Sequence, residues 1–324
     1  MKVSVVIPVY NVERFIGKNV RSLLSQTLDD VEFIFVDDAS TDGSVGIIRQ
    51  EMESFPGRNV RIIRHDANKG LPSARNTGMA AATGDYIYHC DSDDWLETDM
   101  LELLYERAVG TGADFVYCDF YLSFGNNERY MSNPAYENAG DVLTRGFLGG
   151  NMKYNVWNKL VRRRLYTDNG IAFPDGHSMG EDMTMIKVVS LAGSVAYVPR
   201  ALYHYVKLNT EAFSNSMTER KLDDIIYNTE SVIEFLKSHL PGLGDEYISM
   251  FKLNVKLPFL VSGKKEQFEL WKSWYPESNA YAMCNRNLPF RTRLLQYMAA
   301  HGCWWYVRLY HLLVFKVVYG IMYR

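Results

Sequence analysis

Residues 3–11 read VSVVIPVYN, a largely apolar run that closes on a proline, a valine, a tyrosine and an asparagine. A short run of this kind, rich in β-branched residues, predicts a buried strand over Val3–Val9. The apolar residues after it recur at helical spacing, and Asn11 is placed to act as the N-cap of that helix. A buried strand followed directly by an amphipathic helix is the repeating unit of a parallel sheet with crossover helices.

The same alternation continues along the first third of the chain. Further buried-strand patterns occur at Phe33–Val36, Val60–Ile63, Tyr86–Cys90 and Phe115–Cys118. Helical patterns lie between them, around Ile47-Ile48, Ala74–Ala82 and Met100–Leu104. This order of elements predicts an α/β fold, in which helices cover both faces of a doubly wound sheet.

The remainder of the chain has a different pattern. Gly125–Gly150 contains several Gly and Asn residues, so it is predicted to be loop with short elements. Helical spacing returns near Asp182. From Thr218 onward it predicts an α-rich C-terminal region.

The composition is that of an ordinary folded protein. Of the 324 residues 47% are hydrophobic and 23% are charged, with 35 Lys and Arg against 38 Asp and Glu. These values exclude a disordered chain and argue against a polyanion such as nucleic acid as partner. The four cysteines lack the spacing of a zinc site or disulfide framework, and Pro8 interrupts the N-terminus before a signal-peptide pattern develops. We therefore expect a cytoplasmic protein.

Polar residues follow each predicted strand, at the edge where ligands bind in doubly wound sheets. Asp91 and Asp93, separated by Ser92, follow the fourth strand. Mg²⁺ and Mn²⁺ prefer oxygen ligands and often complete their shell with substrate phosphates, so the two aspartates suit a partly substrate-held cation. The alternative is a solvated acidic turn that caps a helix starting near Glu97.

Two more candidates lie at the same predicted edge. The second strand ends in an acidic pair whose second member is Asp38, and residues 40–42 can cap the next helix. Asp38 is therefore expected to be free to accept hydrogen bonds from a base or ribose. Lys69 and Arg75 flank Gly70 at the start of a helix, where they either favour an anionic phosphate or are simply solvated.

These motifs together carry a family resemblance. The blocks concerned are Val5–Asn11, Val36–Ser44, Asn68–Gly70, Ala74–Gly78 and Asp91–Asp94. In order and spacing they resemble glycosyltransferase family 2, densely over roughly the first 120 residues and more sparsely beyond.

The resemblance implies a GT-A, Rossmann-like fold, a nucleotide-sugar donor (a UDP-sugar above all), Mn²⁺ or Mg²⁺, and inversion at the anomeric carbon. The donor-binding residues that it implies are Pro8, Val9, Tyr10, Asp38, Arg75, Asp91 and Ser92. The metal is expected at Asp93. The implied catalytic domain is 1–215, with donor binding in 1–120 and the acceptor side in 121–215. A helical region, 216–324, follows it.

The family also places a catalytic carboxylate in a Glu-Asp pair on the acceptor side. Gly180-Glu181-Asp182-Met183 matches this pattern, so Asp182 is expected to be the general base. The alternative is that both acids only stabilise the first turn of a helix. The Gln-x-x-Arg-Trp motif of processive members is absent, which favours transfer of one sugar per encounter. His204 lies in an apolar run and is expected to be a core residue.

The C-terminal tail is basic and aromatic, with no acidic residue after Glu277. Tryptophan, tyrosine and leucine mixed with Arg308 and Lys316 suit a helix at a membrane interface, or equally a helix packed on the protein or on a second copy. The interfacial interpretation predicts peripheral attachment to the inner face of the cell membrane. It also predicts a saccharide or lipid-linked saccharide acceptor, in the synthesis of cell-surface polysaccharide or glycolipid.

Two other classes of protein stay open at the level of sequence. A nucleotidyltransferase or dinucleotide enzyme has a similar sheet, but the Gly-x-Gly-x-x-Gly turn is absent after the first strand. A non-catalytic nucleotide-sugar-binding protein would keep the fold without needing Asp93 and Asp182.

Overall fold

The computed structural model describes residues 1–125, 127–207, 218–261 and 265–314. The chain divides into two compact units. The first comprises Met1–Ala139 and Tyr154–Val232, and the second Gly140–Lys153 and Ile233–Arg324. The predicted boundary between residues 215 and 216 lies outside the described residues.

The first unit is built on one mixed sheet, which has nine strands among the described residues. The strands are β1 (Val3–Val9), β2 (Val31–Asp37), β3 (Asn59–Arg64), β4 (Tyr86–His89), β5 (Trp95–Leu96), β6 (Phe115–Phe124), β7 (Asn127–Met131), β8 (Lys159–Arg162) and β9 (Val195–Val206). Their order is β3-β2-β1-β4-β8-β6-β9-β5, with β7 paired to β6. The first four in this order are parallel, whereas β8 runs antiparallel to both β4 and β6.

Helices cover both sides of this sheet. Those within the first unit are α1 (Ile16–Leu24), α2 (Ser44–Met52), α3 (Leu71–Ala81), α4 (Met100–Thr111), α6 (Arg164–Thr167) and α7 (Thr184–Ser190), with α5 (Ala139–Asp141) at its boundary. A 3₁₀ turn, Glu181–Met183, precedes α7, and α8 (Glu219–His239) continues from the first unit into the second. The predicted α/β class, with a helical C-terminal region, is confirmed.

The core of the first unit lies along β1 and β2, in which every residue is buried. Strands covered by helices on both faces have no solvent side, which explains why they read as continuous apolar runs. The predicted strand Val3–Val9 is confirmed to the residue. The chain adds β2 and β3 on one side of β1 and then places β4 on the other side. A crevice at the carboxyl ends of strands is expected at such a reversal.

Helix α3 lies unusually close to β1. A Cβ atom at Gly78 would come within 2.3 Å of Val6 Cγ1, so only glycine permits this approach. Gly70, just before the helix, has a φ of 89°, a left-handed conformation that favours glycine. The two glycines thus set the position of the helix that carries Arg75.

Two local predictions were wrong. Asn11 is not the N-cap of α1, which begins at Ile16; it has a φ of 50°, and its Oδ1 accepts a hydrogen bond from Thr41 N at 2.9 Å. The sheet is parallel over only part of its width, because β8 enters it in the opposite direction. The prediction for Gly125–Gly150, a loop with short elements, is confirmed, since its described residues hold β7, α5 and a π-helix over Val142–Leu148.

The second unit is helical. Its elements are the π-helix, α9 (Asp245–Val261), α10 (Lys265–Ser273), a 3₁₀ helix (Pro276–Tyr281), α11 (Phe290–Ala300) and α12 (Trp304–Tyr310). Trp271 is fully buried in its core, and Asn254 and Asn285 hydrogen-bond the carbonyls of Leu148 and Gly149. These bonds hold segment 140–153 in this unit. Within the described residues, no helix has the length and hydropathy that crossing a bilayer requires.

Candidate active site

The site is organised around Arg75, whose side chain is buried in α3 with a residue exposure of 1%. Its Nη2 lies 2.9 Å from Asp91 Oδ1. Its Nη1 lies 3.0 Å from Glu181 Oε1 and 3.2 Å from Asp182 Oδ1. The guanidinium carbon is 5.2 Å from the centroid of the Phe173 ring. One buried cation therefore joins the acidic turn after β4 to the acidic pair before α7.

The segment before the acidic pair is held on one side by α3. Asn76 makes two hydrogen bonds with the backbone of Phe173, from Nδ2 to the carbonyl at 2.9 Å and to Oδ1 from the amide at 2.8 Å. Asp175 Oδ1 accepts hydrogen bonds from Ser73 Oγ at 2.9 Å and from Asn76 Nδ2 at 3.0 Å. These contacts explain why the segment lies against the helix that carries Arg75.

On its other side the segment is held by α8. Asp224 Oδ2 accepts a hydrogen bond from Met179 N at 3.2 Å, and Asn228 Nδ2 donates to the Met179 carbonyl at 3.0 Å. Gly180 follows with a φ of 88°, which turns the chain into the 3₁₀ turn. Glu181 and Asp182 are thus presented to Arg75 from a segment that is fixed at both sides.

The charges of this cluster do not balance, because three carboxylates share the Arg75 guanidinium. Burial raises the pKa of Glu181, and the neighbouring charge of Asp182 raises it further. Burial also raises the pKa of Asp182 to about 6, against the opposing effect of Arg75. A carboxylate with a raised pKa is a better proton acceptor near neutral pH than an ordinary aspartate.

The acidic turn after β4 is held by hydrogen bonds from α1 and β9. Asn19 Nδ2 donates to the carbonyls of Asp91 at 3.0 Å and Asp94 at 2.9 Å. The buried Asp94 accepts hydrogen bonds from Tyr203 Oη at 2.6 Å and from Val206 N at 2.7 Å. Asp94 is therefore structural, whereas Asp91 and Asp93 are both partly exposed to solvent.

The donor set of this turn suits a hard divalent cation only if a substrate completes the shell. Asp91 and Asp93 supply carboxylate oxygens, the ligand type that Mg²⁺ and Mn²⁺ prefer. In the part of the chain that the structure describes, no cluster of three or more His, Cys, Asp or Glu side chains is arranged to hold a metal ion. The fit is thus to an ion held jointly with diphosphate oxygens, and Asp93 stays its predicted ligand.

Asp38 is not free, contrary to the expectation from sequence. It is 3% exposed, and its two oxygens accept backbone hydrogen bonds from Lys69 N and Gly70 N, both at 2.8 Å. His65 Nδ1 lies 2.6 Å from Oδ1. A buried carboxylate must find donors, and here it finds them in the loop before α3. Its contact with a nucleoside stays a prediction.

The other predicted donor-binding residues occupy two kinds of position. Pro8 and Val9 are buried at the end of β1, and Tyr10 is 48% exposed directly after them. Ser92 is buried in the acidic turn. Arg75 was expected to present its charge to a base or diphosphate, but the structure pairs that charge with carboxylates. Direct contact between these residues and a donor stays a prediction.

His204 is a buried residue between two carboxylates. Its Nδ1 lies 2.7 Å from Glu128 Oε1, its Nε2 lies 2.9 Å from Glu97 Oε1, and its ring stacks on Trp95.

The sequence analysis missed Lys159, which is buried in β8. The available signal was a single lysine inside the apolar stretch VWNKLV. Such a residue is rarely buried without a partner for its charge.

The sequence of the unit that holds this site matches a known family. A profile described as "Glycosyl transferase family 2" matches residues 4–182, more than half of the chain. The chain belongs to glycosyltransferase family 2. The predicted family and enzyme class are both confirmed, and the two non-transferase interpretations are set aside.

Individual proteins that are similar to this chain agree with this assignment. "Uncharacterized glycosyltransferase EpsJ" of Bacillus subtilis is 32% identical over 272 residues, which are 80% of this chain and 77% of that protein. "Poly(ribitol-phosphate) beta-glucosyltransferase" of Bacillus spizizenii is 43% identical over 225 residues, 66% of this chain and 34% of that longer protein. Residues 1–349 of S. aureus TarS, solved in complex with UDP, superpose with a TM-score of 0.70 at 19% identity, over 98% of this chain and 92% of that one. This likeness confirms the fold of this family 2 glycosyltransferase.

Replacement of Arg75 by Met is expected to destabilise the enzyme more at pH 8 than at pH 5. Without the guanidinium, the folded-state pKa values of Glu181 and Asp182 rise further above their unfolded values. A carboxyl group whose pKa is higher in the folded than in the unfolded state lowers the free energy of unfolding as the pH rises from its unfolded toward its folded pKa. We expect a loss of about 3–5 kcal/mol at pH 8, measured by urea unfolding, and a smaller loss at pH 5.

Arg58→Met is the matched control. The half-buried Arg58 guanidinium donates to the carbonyls of Leu24, Gln26 and Leu28, which do not titrate. Its loss should therefore cost the same at both pH values. An equal loss at pH 5 and pH 8 for Arg75→Met would show that the carboxylates do not depend on Arg75.

Proposed function

We propose that this glycosyltransferase moves one sugar per encounter from a UDP-sugar to an acceptor hydroxyl, with inversion at the anomeric carbon and Asp182 as general base. The observation that carries the proposal is the pairing of Asp182 and Asp91 with the same buried guanidinium, at 3.2 and 2.9 Å. This pairing brings a carboxylate of raised pKa close to the acidic turn expected to face the donor. The crystal structure of TarS with UDP supports the choice of nucleotide.

The reaction requires a general base on the acceptor side. The acceptor oxygen forms a bond to the anomeric carbon, the bond from that carbon to the phosphate oxygen breaks, and its electron pair stays on the diphosphate. Asp182 takes the proton of the attacking hydroxyl, so that charge does not build up on the acceptor oxygen. Attack from the face opposite to the leaving group inverts the configuration.

On the donor side, Asp93 is the proposed ligand of a divalent cation, with Asp91 directed to the ribose. Mn²⁺ or Mg²⁺ held there would act as a Lewis acid on the diphosphate oxygens as they gain negative charge. Arg75 restrains Asp91 and Asp182 together, so the donor turn and the base keep a set separation. Such restraint raises the reaction rate, because a misplacement of about 1 Å strongly weakens catalysis.

The acceptor is proposed to be a cell-surface saccharide or its lipid-linked precursor, made on the cytoplasmic side of the membrane. The support comes from the activity for which the Bacillus spizizenii relative is named and from the surface of the second unit. Trp305 is 65% exposed, and Leu309, Leu312 and Leu313 are 44–49% exposed, at spacings that place them on one helical face. Residues 278–314 contain arginines and no acidic residue. Apolar side chains flanked by arginine suit the surface of an anionic bilayer. The predicted tail residues 315–324 lie outside the described part.

Asp182→Asn is expected to lower kcat by about 10²–10⁴-fold while UDP binding is kept. Asparagine retains the oxygen that accepts from Arg75 but cannot take a proton. The wild-type rate should fall as the pH drops below about 6, because the raised pKa of Asp182 leaves it protonated there. The assay is release of UDP in a panel of UDP-sugars and saccharide acceptors, followed from pH 5 to 8. The exposed Asp168→Asn is the control, and turnover retained by Asp182→Asn would remove Asp182 from the mechanism.

Asp93→Asn is expected to abolish the metal-dependent part of nucleotide binding. Thermal unfolding of the wild type should shift upward with UDP, and further with UDP and Mn²⁺ together, because each ligand binds the folded state. EDTA should remove the second increment in the wild type, and Asp93→Asn should lack it from the start. Asp168→Asn again serves as control. An identical Mn²⁺ increment in Asp93→Asn would place the cation elsewhere.

The double variant Trp305→Ser, Leu309→Ser is expected to bind anionic vesicles at least about tenfold more weakly than the wild type, since two exposed apolar side chains are lost. Co-sedimentation with phosphatidylglycerol vesicles measures this, with phosphatidylcholine vesicles as the neutral comparison. Val109→Ser, which alters an exposed valine of α4, is the control. Equal vesicle binding by all three proteins would reject the proposal that this surface binds membrane. A wild-type dimer that dissociates in the double variant but not in Val109→Ser would also reject it.

A further inference from the structure

A histidine joins the strands at the far end of the acidic turn. The turn leaves the sheet at β4 and rejoins it at β5, which has two residues and lies at the end of the strand order. In the pairing of β5 with β9, Trp95 lies opposite His204 and Leu96 lies opposite Tyr203. Two residue pairs give few hydrogen bonds, since strands usually have five or more residues. The position of this end of the turn therefore depends on side chains.

The ring of His204 lies in a row of aromatic side chains that crosses the sheet. Its neighbour on β5 is Trp95, with ring centroids 3.3 Å apart and planes 11° from parallel. Its neighbour on β6 is Tyr121, at 4.8 Å and 24°. Lys18 Nζ, from α1, lies 3.6 Å from the centroid of the Trp95 ring, and because His204 covers one face of the indole, Lys18 lies over the other. Trp95, the residue directly after the acidic turn, is thus held from both faces.

Both nitrogens of His204 face carboxylates. Nδ1 lies 2.7 Å from Glu128 Oε1, on β7, and Nε2 lies 2.9 Å from Glu97 Oε1, directly after β5. The two carboxylates are 36% and 40% exposed, and contact with water favours their charged form. An ionised carboxylate only accepts hydrogen bonds, so the two contacts require an N–H on each nitrogen, which is the imidazolium form. His204 is therefore a buried cation that joins β5 to β7.

Packing alone does not require a charge at this position. His204 is 1% exposed, and a phenylalanine would fill its place in the row of rings without the cost of removing a charge from water. A phenylalanine would not bond to Glu97 and Glu128. In some proteins buried ionic groups are kept because they select one arrangement of the chain among several. The arrangement that His204 selects is the pairing of the short β5 with the rest of the sheet.

Strand β9 also holds the acidic turn directly. Tyr203 Oη donates to Asp94 Oδ2 at 2.6 Å and accepts a hydrogen bond from Asp91 N at 3.3 Å. Val206 N donates to Asp94 Oδ1 at 2.7 Å. Asp93 lies between two residues that contact β9, and the turn then continues into β5. A displacement of β5 relative to β9 would therefore move Asp93.

We infer that His204 is a positioning residue for the divalent cation: as an imidazolium bound to Glu97 and Glu128, it fixes the end of the acidic turn and so the place of Asp93. The inference rests on the proposed function, in which Asp93 is the metal ligand. His204 acts through the stacked Trp95 and through β9 and is not itself a ligand. Metal sites depend on such outer contacts, whose loss weakens metal affinity by about 10–100-fold.

The test is the affinity for Mn²⁺ at saturating UDP, measured by calorimetry, which needs no known sugar donor or acceptor. His204→Phe keeps a ring in the row and removes the charge and both hydrogen bonds. Its Mn²⁺ affinity should fall about tenfold, while binding of UDP without metal is unchanged. His204→Gln, which keeps an N–H donor without the charge, should change in the same direction and serves if His204→Phe does not fold. Wild-type Mn²⁺ affinity in the folded variants would overturn the inference.

Arg162→Met is the matched control. Arg162 is a cation of the same sheet, at the end of β8, and its Nε donates to Asp114 Oδ1, just before β6, at 2.8 Å. It lies at the opposite edge, because it pairs with Tyr86, the first residue of β4. Its replacement breaks an ion pair between strands without touching the acidic turn, so Mn²⁺ affinity should stay at the wild-type value. A loss as large as that in His204→Phe would reduce the effect to general destabilisation and reject the inference.

The charge of His204 is measured separately. Protein labelled with ¹⁵N at histidine is observed by NMR near neutral pH, and the ring signals missing from His204→Gln identify His204 among the 7 histidines. Both of its ring nitrogens should have the shifts of a protonated imidazole. A neutral ring, with one nitrogen unprotonated, would also overturn the inference.

The metal dependence of turnover separates this inference from the proposed function. With the donor found in the UDP-sugar panel, His204→Phe should need about tenfold more Mn²⁺ for its half-maximal rate and reach the wild-type kcat when Mn²⁺ saturates. If Asp93→Asn keeps the wild-type Mn²⁺ affinity, the proposed metal ligand is wrong. If Asp93→Asn loses that affinity while His204→Phe keeps it, only the role of His204 fails.

Discussion

The guanidinium of Arg75 is out of contact with water, and a buried charge without partners costs more than a domain can sustain. Its partners are Asp91, Glu181 and Asp182, at 2.9 to 3.2 Å. They come from two segments about ninety residues apart in the chain. Satisfying Arg75 therefore requires that α3, the turn after β4 and the turn before α7 meet. An apolar core would hold these elements at lower cost, so the ionic cluster points to chemistry and not to stability.

The helix that carries Arg75 is itself set with little freedom. Gly78 lets it approach β1 more closely than any side chain would allow, and Asp38 holds the backbone of the preceding loop through Lys69 and Gly70. The segment that bears Asp182 is anchored on both sides, to α3 and to α8. A proposed catalytic carboxylate carried on supports of this kind keeps its geometry without the help of substrate.

Electrostatics complete this arrangement. Three carboxylates around one guanidinium cannot all keep an ordinary pKa, and burial moves those of Glu181 and Asp182 upward. The shift makes Asp182 a stronger base, but an excessive shift would leave it protonated and useless at neutral pH. The pKa of Asp182 thus reflects a balance of burial and the like charge of Asp91 against the opposite charges of Arg75 and Lys159.

Short-range patterns in the sequence determined much of this protein. The strands of the first third and the carboxylates at their ends follow from apolar runs and the polar residues after them, and the motif blocks identified the family. Tertiary structure alone decided the hydrogen-bond partners of Asp38, the direction of β8 with Lys159, and the membership of segment 140–153 in the second unit. The physical reason is separation along the chain. A local pattern records burial and backbone preference, whereas the partner of a buried charge or an unpaired strand edge is chosen among residues that only the folded chain brings near.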